Sequence, residues 1–149
     1  MMMLIGVGNE FRRDDAAGLV AARRLRESGI VVEEHHGDMA ALIERWEGVD
    51  SLILIDAVAP GRTPGAIYHL DASAAPLDRE LFSTSTHAFS LADAVELSRA
   101  LGTLPPHVLV FGIEAENVTA GMCLSAAAEA ALPRLLKAVQ ECVRLYSSL

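Results

Sequence analysis

Three short segments carry side chains whose types and spacing could do chemistry. The first is the glycine-rich stretch Gly6-Val7-Gly8-Asn9-Glu10-Phe11-Arg12-Arg13-Asp14-Asp15-Ala16-Ala17-Gly18. The second is Leu54-Ile55-Asp56-Ala57, where a carboxylate follows an apolar run. The third is the hydroxyl-rich Ser83-Thr84-Ser85-Thr86-His87-Ala88-Phe89-Ser90. Taken together, Asp15, Asp56 and His87 are two carboxylates and one imidazole. Mixed oxygen and nitrogen ligands of this kind suit a divalent first-row metal with open coordination positions. Each also has a plainer role. Asp14 and Asp15 can cap a helix and favour its dipole, Asp56 can be a turn residue bonding nearby amides, and His87 can be a surface or capping residue.

Other chemistries fit less well. A Gly-x-Gly after a first strand invites a dinucleotide, but Phe11 stands where the third glycine of the fingerprint belongs. Two carboxylates also occupy the helix start that would have to receive a pyrophosphate. Ser83 and Ser85 raise a serine hydrolase, yet the chain has no G-x-S-x-G elbow. His35-His36 is a rival metal pair, but neighbours in extended chain point to opposite faces, so at most one belongs near a site. His69 and His107 read as structural or solvent-facing. Cys123 and Cys142 make neither a disulfide framework nor a CxxC pair.

The elements that must position these residues alternate. Strands are expected at Met3–Val7, Ile30–Glu33, Ser51–Val58 and Val108–Ile113, with Ala66–Leu70 returning antiparallel between the turn signals and the next helix. Helices are expected at Asp14–Arg26, stopped by Gly29, at Asp38–Trp46, capped by Asp38, and at Ser90–Ala100, stopped by Gly102. A long helix over Leu124–Tyr146 contains Pro133, which would kink or break it. Alternating strands and helices call for an α/β fold, a mostly parallel sheet covered on both faces. Ligands then sit beyond the C-terminal strand ends. The segments Asn9–Asp15, Glu34–Asp38, Asp56–Ala59 and Glu114–Asn117 fall there.

Composition bounds the rest. The chain has 149 residues, a length that fits one domain, 1–149. Hydrophobic residues are 52% and charged residues 21%, which excludes intrinsic disorder. With aromatics at 5%, the core must be built from Ala, Val, Leu and Ile. A net charge of −8 disfavours nucleic acid as a partner. No apolar run approaches the roughly 18 residues needed to span a bilayer. The opening Met1-Met2-Met3-Leu4-Ile5 lacks the basic start and the length of a signal peptide. A cytoplasmic protein with no membrane association is expected.

The first segment resembles the G-[IV]-G-N-x4-D-[DE]-x2-G signature of the hydrogenase maturation endopeptidases. Leu54-Ile55-Asp56-Ala57, Ser85-Thr86-His87-Ala88-Phe89-Ser90-Leu91 and Val110-Phe111-Gly112-Ile113-Glu114 follow in that family's order and spacing. The resemblance implies a three-layer α/β/α sandwich around a twisted five-stranded sheet with one antiparallel strand. It implies an endopeptidase that removes the C-terminal extension of a nickel–iron hydrogenase large-subunit precursor after nickel insertion. Asp15, Asp56 and His87 would be both the metal-contacting and the catalytic set, recognising nickel supplied by the precursor, with no tightly held cofactor. Aspartate at 15 stands where some members carry glutamate, one methylene longer. The precursor is the implied partner, and a monomer is expected. Metal contact through deprotonated carboxylates and neutral imidazole predicts activity falling in acid. A carboxylate acting on water and a metal polarising the carbonyl both remain open as the hydrolytic step. The same residues would also serve a metal-dependent small-molecule hydrolase or a non-enzymatic nickel-site chaperone.

Overall fold

The computed structural model describes residues 1–84 and 89–147. In chain order the elements are β1 (Met2–Gly8), α1 (Ala17–Glu27), β2 (Glu33–His36), α2 (Met39–Trp46), β3 (Ser51–Val58), β4 (Ile67–Asp71), α3 (Leu91–Leu101), β5 (His107–Glu114) and α4 (Ala126–Ser147). Short 3-10 turns at Arg13–Ala16 and Arg79–Phe82 complete the list. The strands form one sheet in the order β2-β1-β3-β5-β4, parallel except for β4, which runs antiparallel to β5.

Strand alternation divides the core into two layers. Ile53, Ile55, Phe111 and Ile113 point to one face and meet α1 and α4 through Ala21, Leu25, Leu132 and Leu135. Leu52, Leu54, Val108 and Val110 point to the other and meet α2 and α3 through Leu42, Trp46, Leu91 and Val95. This is the three-layer α/β/α sandwich that the resemblance implies. Burial on both faces is why β3 is apolar at every position from Leu52 to Ile55. Trp46, fully buried, directs its indole N–H to Ser98 Oγ at 2.8 Å, so a polar handle in the second layer is satisfied.

Glycines decide how closely α1 can approach the sheet. A Cβ on Gly6 would lie 2.2 Å from the Gly18 carbonyl oxygen, and one on Gly8 would lie 2.2 Å from that of Asp15. A Cβ on Gly18 would meet the carbonyls of Val7 and Ile55, both at 2.3 Å. The chain after β1 therefore lies directly on β1 and β3.

Several local expectations change. The second strand falls at Glu33–His36, three residues later than Ile30–Glu33, because Val32 is drawn under the first core layer instead. It is a polar edge strand whose Glu33 and Glu34 pair with Arg45, Arg23 and Arg26. The first helix opens with the 3-10 turn, and neither Asp14 nor Asp15 caps it through a side chain. Pro133 lies inside α4 without ending it; the proline forfeits one backbone bond while the helix runs on to Ser147. Asp38 caps α2 by accepting from the Ala40 N–H, and Gly102 closes α3 in the left-handed conformation, both as expected. Among the described residues no helix is long and apolar enough to cross a membrane.

Candidate functional site

From the centre of the sheet the strand order runs outward in opposite directions, β1 to β2 on one side and β3 to β5 on the other. A crevice opens where the order reverses, at the C-terminal ends of β1 and β3. The structure places a cleft of about 370 Å³ there, with Gly8, Asp15 and Asp56 in its wall. Gly37–Met39 close one side, and Phe82, Thr84 and Phe89 another.

Asp15 and Asp56 reach this cleft from different elements. Asp56 is the sixth residue of β3 and shares the parity of Leu52 and Leu54, so it faces the α2/α3 side. Asp15 sits in the 3-10 turn that Gly8 allows to lie against β1; the Asn9 N–H donates to the Asp15 carbonyl at 3.2 Å. Both are buried, at 5% and 6% exposure, which is costly for carboxylates. Thr84 Oγ1 donates to Asp15 Oδ1 at 2.7 Å. The Ala57 N–H donates to Asp56 Oδ1 at 2.8 Å. Burial, and then the Asp15 charge, push the Asp56 carboxyl well above the ordinary aspartate range, against the Ala57 bond. A buried carboxyl pair in a cleft, with the Asp56 carboxyl raised, is the pattern of a functional site, and a positive ion is what would relieve it.

His87, the third expected member, lies outside the described residues. Its flanking neighbours Thr84 and Phe89 line the cleft. Among the described residues no group of three or more His, Cys, Asp or Glu is arranged to hold a metal.

Other candidates separate from the site. Asp14, next to Asp15 in sequence, turns away and is fully buried. Its carboxylate accepts from the Glu116 N–H at 2.8 Å, the Ser125 N–H at 2.7 Å and the Ser125 hydroxyl at 2.7 Å. Glu114 is equally buried and accepts from the Arg62 N–H at 2.7 Å and the Tyr68 hydroxyl at 2.8 Å. Both acids fasten loops at the same sheet edge. Glu10 pairs with Arg23, and His36 with Glu34. His35 is buried; its Nε2 meets the Asp38 carbonyl at 2.6 Å and its Nδ1 meets Arg45 at 3.0 Å. It thus braces the turn that walls the cleft, while neither His35 nor His36 lines it. His69 stacks on Phe111 with centroids 4.3 Å apart and is solvent-facing, as expected. Thr84 was not singled out from sequence, because its partner is 69 residues away and no local pattern links them.

Comparisons with known proteins agree with this architecture. Residues 37–142 match the HycI family, described as hydrogenase maturation protease. The hydrogenase expression/formation protein HupD of Thiocapsa roseopersicina is 24% identical over 118 residues, covering 76% of this chain; the chain spans only 53% of that relative's length. A solution structure of an endopeptidase from Escherichia coli is 28% identical, with a TM-score of 0.79 over 98% of this chain and 94% of that one. The [NiFe] hydrogenase maturation protease HybD from Thermococcus kodakarensis is 26% identical, with a TM-score of 0.71 over 95% and 97%. The hydrogenase maturating endopeptidase HybD from E. coli shares the fold at a TM-score of 0.78, with 24% identity over 97% and 93%. With the family match covering most of its length, the chain belongs to the hydrogenase maturation protease family.

Proposed function

We propose that this protein is an endopeptidase that removes the C-terminal extension of a nickel–iron hydrogenase large-subunit precursor once nickel is in place. Asp15, Asp56 and His87 contact the nickel carried by the precursor, which is substrate and not a resident cofactor. The observation that supports this most directly is that Asp15, from the turn after β1, and Asp56, from β3, line one cleft at the switch point of the sheet. A metal already held by the precursor would gain oxygen ligands here and draw the adjoining peptide into the cleft. Binding of this kind fixes the scissile bond against the site, and that positioning is a large part of catalysis.

The hydrolytic step needs a water deprotonated and a carbonyl polarised. The water oxygen bonds to the carbonyl carbon, the C–N bond breaks, and the leaving amine takes a proton. In this reading the two cleft carboxyls exchange those protons, and the precursor's nickel would supply polarisation of the carbonyl. We further take residues 1–149 to work as one domain, as a monomer in the cytoplasm.

The test is mass spectrometry of nickel-loaded precursor before and after incubation with this protein. Loss of the C-terminal extension is expected, and little or none with Asp15→Asn, Asp56→Asn or His87→Ala. Full trimming by all three variants would refute the assigned site. Stoichiometric binding with no change in precursor mass would replace the protease with a chaperone. Metal-dependent turnover of generic esters, without any protein partner, would replace it with a small-molecule hydrolase.

A further inference from the structure

We infer that Thr84 is a positioning residue: its hydroxyl latches Asp15 across the cleft and sets how strongly the site distinguishes nickel-loaded from nickel-free precursor. The inference rests on the function proposed above.

Thr84 comes from the β3 side of the switch point. It follows the 3-10 turn Arg79–Phe82, which is fastened to the end of β3: the Ala59 N–H donates to the Leu81 carbonyl at 2.6 Å. Phe82 is buried in the second core layer, and the Ser83 hydroxyl donates to the Arg79 carbonyl at 2.8 Å. The backbone that presents Thr84 is therefore tied to the strand that carries Asp56. Asp15 comes from the other side, after β1. The 2.7 Å bond from Thr84 Oγ1 to Asp15 Oδ1 spans the crevice between the two halves.

Two features make this more than packing. Thr84 is 7% exposed and Asp15 5%, so the bond is largely shielded from bulk water. The acceptor is a charged group, for which such bonds are short and strong. A carboxylate offered to a metal must point one way, and a donor on one of its oxygens fixes its rotation. Partners that orient metal-contacting groups typically carry about 10–100-fold in metal affinity or activity when removed. A valine at position 84 keeps the side-chain shape and deletes the donor; a serine keeps the donor.

The experiment measures binding of nickel-loaded and nickel-free precursor to the wild type, Thr84→Val, Thr84→Ser and Asp15→Asn, with kcat and KM for trimming and a melting curve for each. Thr84→Val is expected to lose about 10–100-fold of the preference for nickel-loaded precursor. The loss should appear mainly in KM, as it does when binding common to ground and transition state is removed. Thr84→Ser should recover most of it. Thr84→Ala gives the same answer should the valine variant not fold. Overturning results are a Thr84→Val protein with wild-type preference, or a Thr84→Ser protein as impaired as Thr84→Val. If Asp15→Asn is inactive while Thr84→Val is normal, the latch alone is wrong. If Asp15→Asn itself trims like wild type, the proposed site is wrong.

Discussion

The Asp14 carboxylate accepts both the backbone N–H and the hydroxyl of Ser125, each at 2.7 Å, and so ties the loop after β1 to the start of α4. Its neighbour Asp15 opens on the cleft. Two adjacent acids thus divide into a structural clamp and a cleft-lining group. The clamp is continued by the backbone, where Arg13 donates to the Gly121 carbonyl at 3.0 Å and Asp14 to that of Asn117 at 3.0 Å.

Replacing the clamp should cost stability. Asp14→Ala removes a fully buried carboxylate that accepts from part-buried donors on Glu116 and Ser125, at a cost of about 3 kcal/mol. For a chain of this size that lowers Tm by about 6–12 °C. Asp15→Asn should shift Tm far less while abolishing precursor trimming. Thermal melts and precursor mass spectra on the two variants, side by side, check the division.

Asp56 should make the protein less stable as pH rises. Burial and the Asp15 charge raise its folded-state pKa above the ordinary 3.8. Between those two values the folded state holds a proton that the unfolded state has released, so stability falls with increasing pH across that window. Below the ordinary value both states are protonated and the penalty vanishes. Asp56→Asn, which keeps an acceptor for the Ala57 N–H, should therefore melt higher than wild type near neutrality, with a smaller difference near pH 3.8. Melting curves across that range test the sign, and a variant that melts lower at neutral pH contradicts it.

Glu34 should behave in the opposite way. Its burial would raise the carboxyl, but hydrogen bonds from Arg26 and Arg23 outweigh that and bring it down to about 2. The stabilisation is present above the ordinary 4.5 and is lost as pH falls toward about 2. With both arginines more than two-fifths exposed, screening leaves about 1 kcal/mol of it. Wild type should exceed Glu34→Gln by that amount in denaturant melts near neutrality and lose the advantage in strong acid.

Gly8→Ala should damage both fold and site. The added methyl would lie 2.2 Å from the Asp15 carbonyl oxygen, a backbone atom that cannot swing aside. Overpacking of this kind costs about 1–3 kcal/mol. The relief available is for the turn holding Asp15 to lift from β1, so trimming should fall by about 10-fold or more even where the variant stays folded. Gly29→Ala, which meets nothing within 4 Å but has φ +88°, should affect stability alone.

Much of this was legible in the sequence, for identifiable reasons. The run Leu52–Ile55 announces a strand covered on both faces, and Asp56 just beyond it announces the sheet edge. The close approach of helix and sheet at Gly6, Gly8 and Gly18 is a structural finding, because the atoms that crowd these positions come from other elements. What escaped depended on partners remote in the chain. β2 was misplaced because its polar residues are held by arginines from α1 and α2, while apolar Val32 serves the core outside the strand. Asp14 looked like a helix cap because its true partners, Glu116 and Ser125, are more than 100 residues away. Thr84 was hidden for the same reason. His87 was read from its motif, and it lies outside the described residues.

The reversal of strand order between β1 and β3 also governs when recognition can begin during folding. Parallel pairings join segments distant in the chain and form slowly. A nascent chain that has completed β1, α1 and β2 owns Asp15, but it has neither Asp56 nor the hydroxyl that steadies its first acid. The two cleft carboxylates therefore come together only once the second half has docked, and under the proposed function a chain short of that point would offer a metal one of them alone.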